Sequence, residues 1–111
     1  MDKDCWFTIS YKQTLSEDFI REFKGKVNWI LISKFQILSE DFIREFKDKV
    51  DWRKISKYQK LSKDFILEFK NKVNWKRISK HQKITRKQIE KYEQKKIEKS
   101  RVKNKFQLIR F

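Results

Sequence analysis

WILISKFQILSEDFIREFKDKVD, residues 29–51, decides the fold, because the same unit stands before and after it at a spacing of 23 residues. Trp6, Trp29, Trp52 and Trp75 share one position in the unit, and so do Ile9, Ile32, Ile55 and Ile78. Ser10, Ser33, Ser56 and Ser79 share another, as do Gln13, Gln36, Gln59 and Gln82. A second block, Leu-Ser-x-Asp-Phe-Ile-x-x-Phe-Lys-x-Lys-Val, runs from Leu15 to Val27, Leu38 to Val50 and Leu61 to Val73. The register never slips. Residues 1–82 therefore read as a repeat array, and 83–111 as a basic C-terminal helix and tail.

Each unit carries two helix starts. Ser16, Ser39 and Ser62 precede acidic residues and stand where a serine oxygen caps the first turn, with Leu15 and Ile20 spaced as a hydrophobic staple. Phe19, Ile20, Phe23 and Val27 then fall on one apolar helical face, in a helix of roughly 11 residues. Asn28, Asp51 and Asn74 cap a second helix of roughly 9 residues, which places Trp29 and Ile32 on one side with the small Ser33 beside them. A pair this short cannot bury a Trp and two Phe alone, so neighbouring pairs must share a core. The expected fold is all-α: tandem two-helix repeats stacked as a short α-solenoid or compact helical array. A longer C-terminal helix follows, opened by a Thr85-x-x-Gln88 capping box and running to about Asn104, with Ile89, Tyr92 and Ile97 as its apolar positions.

The unit Trp-x-x-Ile-Ser-x-x-Gln-x-Leu-Ser-x-Asp-Phe-Ile-x-x-Phe-Lys-x-Lys-Val-Asn/Asp, from Trp6 to Gln82, resembles short repeats found in proteins of giant DNA viruses of the mimivirus type. The resemblance implies a helical repeat in a viral, intracellular setting, the infected host cell cytoplasm or the virion. It carries no activity or site that transfers to these residues.

At 111 residues the chain has the size of one domain, with few apolar residues but many aromatic ones. It lacks alanine and proline and has one glycine, Gly25, a bias that fits an AT-rich coding genome and inflates lysine. The single cysteine, Cys5, makes no intrachain bridge, and the polar Met-Asp-Lys-Asp start is no signal peptide, so an intracellular rather than secreted protein is expected. No apolar run approaches the ~18 residues of a membrane span.

A net charge of +15 attracts polyanions. Genome bias would spread it evenly, yet residues 1–36 and 37–59 each carry +1, residues 60–82 carry +5 and residues 83–111 carry +8. Within the blocks beginning at Ser16 and Ser39, Glu17 with Arg21 and Glu22 with Lys26 are spaced for i,i+4 pairing, which reads as a self-neutralised face. The other helix differs from unit to unit: Phe7-Thr8, Ile30-Leu31, Arg53-Lys54, Lys76-Arg77. Positions that vary on a fixed scaffold are where repeat proteins often meet partners. Arg53, Lys54, Lys57, Lys76, Arg77 and Lys80 are thus the candidate nucleic-acid-binding stripe, with Lys87, Lys91 and Lys95 added from the C-terminal helix. Lysines at free positions also serve solubility alone, so both readings stand at this point.

The expected function is non-enzymatic nucleic-acid binding, to DNA or RNA, with little sequence selectivity because few arginines are present. The alternative is a protein-interaction module, or self-association, through the apolar N-terminal face of Phe7, Ile30 and Leu31. The chain's own Leu108-Ile109-Phe111 is a further candidate to cover that face. The tryptophans, each paired with an Ile three residues on, read as core; His81 reads as a surface residue. No set of residues has the spacing of a metal site, a phosphate loop or a catalytic triad, so no cofactor, metal or small-molecule substrate is expected.

Overall fold

The computed structural model describes residues 3–109, with side chains from Cys5 to Ser100. Every regular element among the described residues is helical: α1 (Lys3–Lys12), α2 (Glu17–Glu22), α3 (Trp29–Phe35), α4 (Glu40–Glu45), α5 (Trp52–Tyr58), α6 (Lys63–Glu68), α7 (Trp75–Arg77) and α8 (Arg86–Ile109), with a π-helical segment, Ile78–Gln82, directly after α7. The starts are made by the caps that the sequence presents. Ser16, Ser39 and Ser62 Oγ accept from the amides of Phe19, Phe42 and Phe65. Asn28, Asp51 and Asn74 accept from Leu31, Lys54 and Arg77 in the same way. At α8, Thr85 and Gln88 cap each other at 2.8 and 3.2 Å.

The Phe-bearing helices α2, α4 and α6 have six residues each, not eleven. At Phe23 the backbone leaves helical geometry (φ −106°, ψ 29°), and Lys26 and Val27 both donate to the Phe23 carbonyl in a tight turn. The next helix reaches back to this turn. Trp29 Nε1 donates to the Lys24 carbonyl at 2.9 Å, and Trp52 and Trp75 do the same to Lys47 and Lys70. Each Trp indole thus bonds into the turn that closes the Phe helix before it.

The Trp-bearing helices stack in a row, α1 on α3, α3 on α5, and α5 on α7 with its π segment, while α6 packs against α8. The molecule is elongated, 67 × 31 × 19 Å. One apolar cluster runs its length, from Ile20 through Ile32, Ile43, Ile55, Ile66 and Ile78 to Ile89, all fully buried or nearly so. Trp29 lies 5.1 Å from the Phe46 ring, and Trp52 lies 5.0 Å from Phe69, so the tryptophans belong to this core.

Two polar ladders stitch successive units together. The buried Gln36 donates to the carbonyls of Ser10 and Gln13 and accepts from the Leu15 amide. Gln59 repeats this one unit on, with Ser33, Gln36 and Leu38. In the second ladder Ser10, Ser33 and Ser56 donate to Trp6, Trp29 and Trp52 carbonyls and accept the amides of Asn28, Asp51 and Asn74. The serines thus do more than leave room for a neighbour. Such buried bonds stabilise by about 1 kcal/mol each, but leaving one partner unmet costs about 1–3 kcal/mol, so they fix the register of stacking.

The arginines of α2 and α4 pair at i,i+3 and across units rather than in the expected i,i+4 pairs. Arg21 bonds Asp18 at 2.7 Å and Glu45 of the next unit at 2.9 Å; Arg44 does so with Asp41 and Glu68. Glu17 is taken by the amide and hydroxyl of Ser39, and Glu40 by those of Ser62. At the C-terminal end Ile84 and Ile89 close the core. Tyr92 and Lys96 both bond Asp64, and Lys70 meets Glu93 at 3.4 Å. α8 runs five residues past the expected end near Asn104, and Ile97 is exposed on it. The side chains of Leu108, Ile109 and Phe111, candidates for covering the N-terminal apolar face, lie outside the described residues.

Candidate nucleic-acid interface

A helix turns ~100° per residue, so with Ile55, Ser56 and Gln59 buried, α5 turns Arg53, Lys54, Lys57 and Tyr58 outward. The same four places hold Phe7, Thr8, Tyr11 and Lys12 on α1, and Ile30, Leu31, Lys34 and Phe35 on α3. On α7 and the π segment they hold Lys76, Arg77, Lys80 and His81. Because the Trp helices stack in one row, these residues form a continuous outer face that passes from apolar to basic toward the C-terminus. No acidic residue stands in any of its sixteen places.

Six of the nine sequence candidates, Arg53, Lys54, Lys57, Lys76, Arg77 and Lys80, fall on this face. Arg53, Lys76 and Lys80 are exposed, and Lys54, Lys57 and Arg77 are half-buried along their stems. Among the described residues none of the six forms an ion pair, whereas Arg21, Arg44, Lys70 and Lys96 on the other helices all do. The remaining three, Lys87, Lys91 and Lys95, are exposed along one side of α8. Lys91 and Lys95 line a cleft between α6 and α8, together with Lys63, Lys83, Gln88 and Tyr92. The candidates therefore make two groups, with Lys83, at the end of the π segment, beside the second.

The cleft opens where the glutamine ladder changes. Gln82 still donates to the Ser56 and Gln59 carbonyls, but it lines the cleft with Leu61 instead of receiving that residue's amide as Gln36 and Gln59 do with Leu15 and Leu38. Lys83 then turns the chain through left-handed geometry, φ 56°.

The sequence put His81 at a variable surface position shared with Tyr58 and Phe35, but gave the rings of the outer face no role. Phe35 and Tyr58 are 47% and 41% exposed, and Tyr11 lies 5.8 Å from Phe35. Lys34 Nζ sits 4.8 Å from the Phe35 ring centre and 5.4 Å from that of Tyr58; Lys57 Nζ is 5.0 Å from Tyr58. The field is felt locally. The ammonium group of Lys57 beside it, with Lys34 and Lys54 close by, holds the Tyr58 phenol below its ordinary range. Partial desolvation, reinforced by Lys57, Lys80 and Arg77, lowers His81. The signal was available in the repeat, where Lys34, Lys57 and Lys80 share one place and Phe35, Tyr58 and His81 the next.

No family model, curated protein or solved structure matches the chain. Among the described residues no cluster of His, Cys, Asp and Glu could hold a metal ion, and no helix is long and apolar enough to cross a membrane.

Proposed function

We propose that the protein binds nucleic acid, without catalysing a reaction, through the outer face of α5, α7 and the π segment, with little sequence selectivity. The observation that carries this reading is a contrast in pairing: Arg21 and Arg44 of the Phe helices are each held by two carboxylates, and among the described residues none of the six cations of the outer face meets one. Unpaired cations at regular spacing on stacked helices, about 8–10 Å apart, suit a phosphate backbone. Lys87, Lys91 and Lys95 supply a second basic group for the same polymer. The likeness of the unit to giant-virus repeats adds the setting, an infected cell or a virion.

The test is a salt titration of binding to duplex DNA. Neutralising phosphates releases condensed counterions, so log K should fall against log salt by about 0.9 per contact, to a slope near −5 if six cations engage. Reversing Arg53, Lys54, Lys76 and Arg77 to Glu should flatten the slope. Reversing Lys24, Lys26, Lys47 and Lys49 should matter much less. Equal losses from the two sets would mean undirected electrostatics, and no binding at low salt would remove the reading.

A protein partner is the second reading, and it rests on Phe7 and Ile30, 49% and 52% exposed on the same face of the first two units. Phe7→Ser with Ile30→Ser would then abolish association and leave nucleic-acid affinity unchanged.

A further inference from the structure

A face that only gathered phosphates would have no use for exposed rings, yet this one places one in every unit after the first beside a lysine. Phe35, Tyr58 and His81 share a place in the repeat, and Lys34, Lys57 and Lys80 precede them. Lys34 stands between two of the rings, and Lys57 lies over one of them. Lys34 Nζ bridges Phe35 and Tyr58 at 4.8 and 5.4 Å from their centres, and Lys57 Nζ covers Tyr58 at 5.0 Å. Nothing from the core calls these rings outward. The apolar cluster is complete without them, and aromatic residues are usually drawn inside.

We infer that the ligand of this face is a single-stranded polynucleotide, its bases stacked on Phe35 and Tyr58 and its phosphates met by the intervening lysines. The inference rests on the nucleic-acid reading above and narrows it. A single strand presents a flat π face and one negative charge in each repeating unit, which is what alternating rings and ammonium groups complement. A phosphate draws the ammonium away from the ring it covers, and the freed ring face receives a base. A duplex offers the same charges but hides its base faces in its own stack, so the rings add nothing to its binding. Stacking is indifferent to base identity, in keeping with weak sequence selectivity. His81 extends the column into the fourth unit with a further flat ring.

The experiment compares a labelled oligothymidylate of about 12 nucleotides, within the usual span of stacking platforms, with the duplex it forms with oligoadenylate. The full chain is titrated with each at one moderate salt concentration. Charge alone favours the duplex, whose phosphates are denser and release more counterions. The expected result is the opposite: the single strand binds about 10-fold tighter or more. Phe35→Leu with Tyr58→Leu, which keeps apolar bulk but removes the ring faces, should weaken single-strand binding by at least about 10-fold and leave the duplex nearly unaffected. Tyr58→Phe should keep the wild-type preference. Both rings are half exposed, and thermal unfolding of each variant checks that the array is intact. A duplex bound as tightly as the single strand, or unchanged single-strand binding by the folded leucine variant, overturns the stacking inference and leaves the phosphate reading standing. Failure to bind either polymer at low salt overturns both.

Discussion

Residues 29–51 and 52–74 are two copies of one unit with the same inside and different outsides. Ile32 and Ile55 are fully buried, Gln36 and Gln59 make the same three bonds to the unit before, and Asn28 and Asp51 cap through the same geometry. Outside, Ile30 and Leu31 become Arg53 and Lys54. Stacking is therefore carried by positions that repeat, and partner choice is free to vary on positions that stacking does not use. The Phe helices vary as well, but for a structural reason. Where α2 and α4 have Glu17 and Glu40 to cap the next unit, α6 has Lys63, because the following cap, Thr85, is served by Gln88 of its own helix. Where α2 and α4 have Arg21 and Arg44 to reach a carboxylate one unit on, α6 has Leu67, packed against the core. These substitutions end the ladder.

The sharpest way to break the comparison is to attack the shared interior. Trp52→Ala removes an indole packed on Phe65 and Phe69 and bonded to the Lys47 carbonyl, and should destabilise the fold by about 3 kcal/mol in urea unfolding.

Next comes the ladder itself. Gln59→Ala strands the Leu38 amide and two carbonyls in a buried seam and should cost about 2–3 kcal/mol. Gln13 holds the same place in the unit but is exposed at the end of the row, so Gln13→Ala should stay within about 0.5 kcal/mol of wild type. Equal losses at the two positions would mean that the glutamines act through helix ends and not through stacking.

A smaller effect is expected at the last unit, where Lys83 adopts left-handed geometry that a side chain disfavours. Lys83→Gly should raise stability by about 0.5–1 kcal/mol, read as a higher melting temperature.

The smallest concerns the docking of α8. Bonds from Lys96 and Tyr92 hold the Asp64 carboxyl below its ordinary 3.8. A carboxylate whose folded pKa is depressed contributes stability above its unfolded value and loses it as pH falls through the folded one. The protection of the first turns of α8 against hydrogen exchange, taken relative to the intrinsic rate at each pH, should accordingly fall below about pH 4, and less so in Asp64→Asn.

Much of this architecture was legible in the sequence because its causes are local or periodic. The caps at Ser16, Asn28 and Thr85 each use atoms within three residues, and the buried faces follow helical spacing. The early end of α2 was not, since neither the tight turn at Phe23 nor the indole of Trp29 that bonds into it shows in the apolar spacing. Arg21 was expected to pair with Glu17, but the stack brings Glu45 within reach and gives Glu17 to Ser39. The columns of Gln and Ser were plain, yet their partners lie 18 to 26 residues away and depend on how units stack. Similarly, the variable positions pointed to the outer face, while the interleaving of Lys34 between Phe35 and Tyr58 required two helices in register.

The central claim is that the inside sets the fold and the outside sets the partner. Giving units three and four the outer face of unit two tests it most directly, with Arg53→Ile, Lys54→Leu, Lys76→Ile and Arg77→Leu in one chain. The account predicts a helical protein with a melting temperature near that of wild type and with most of its nucleic-acid affinity lost. A variant that keeps its affinity, or one that no longer folds, would contradict it.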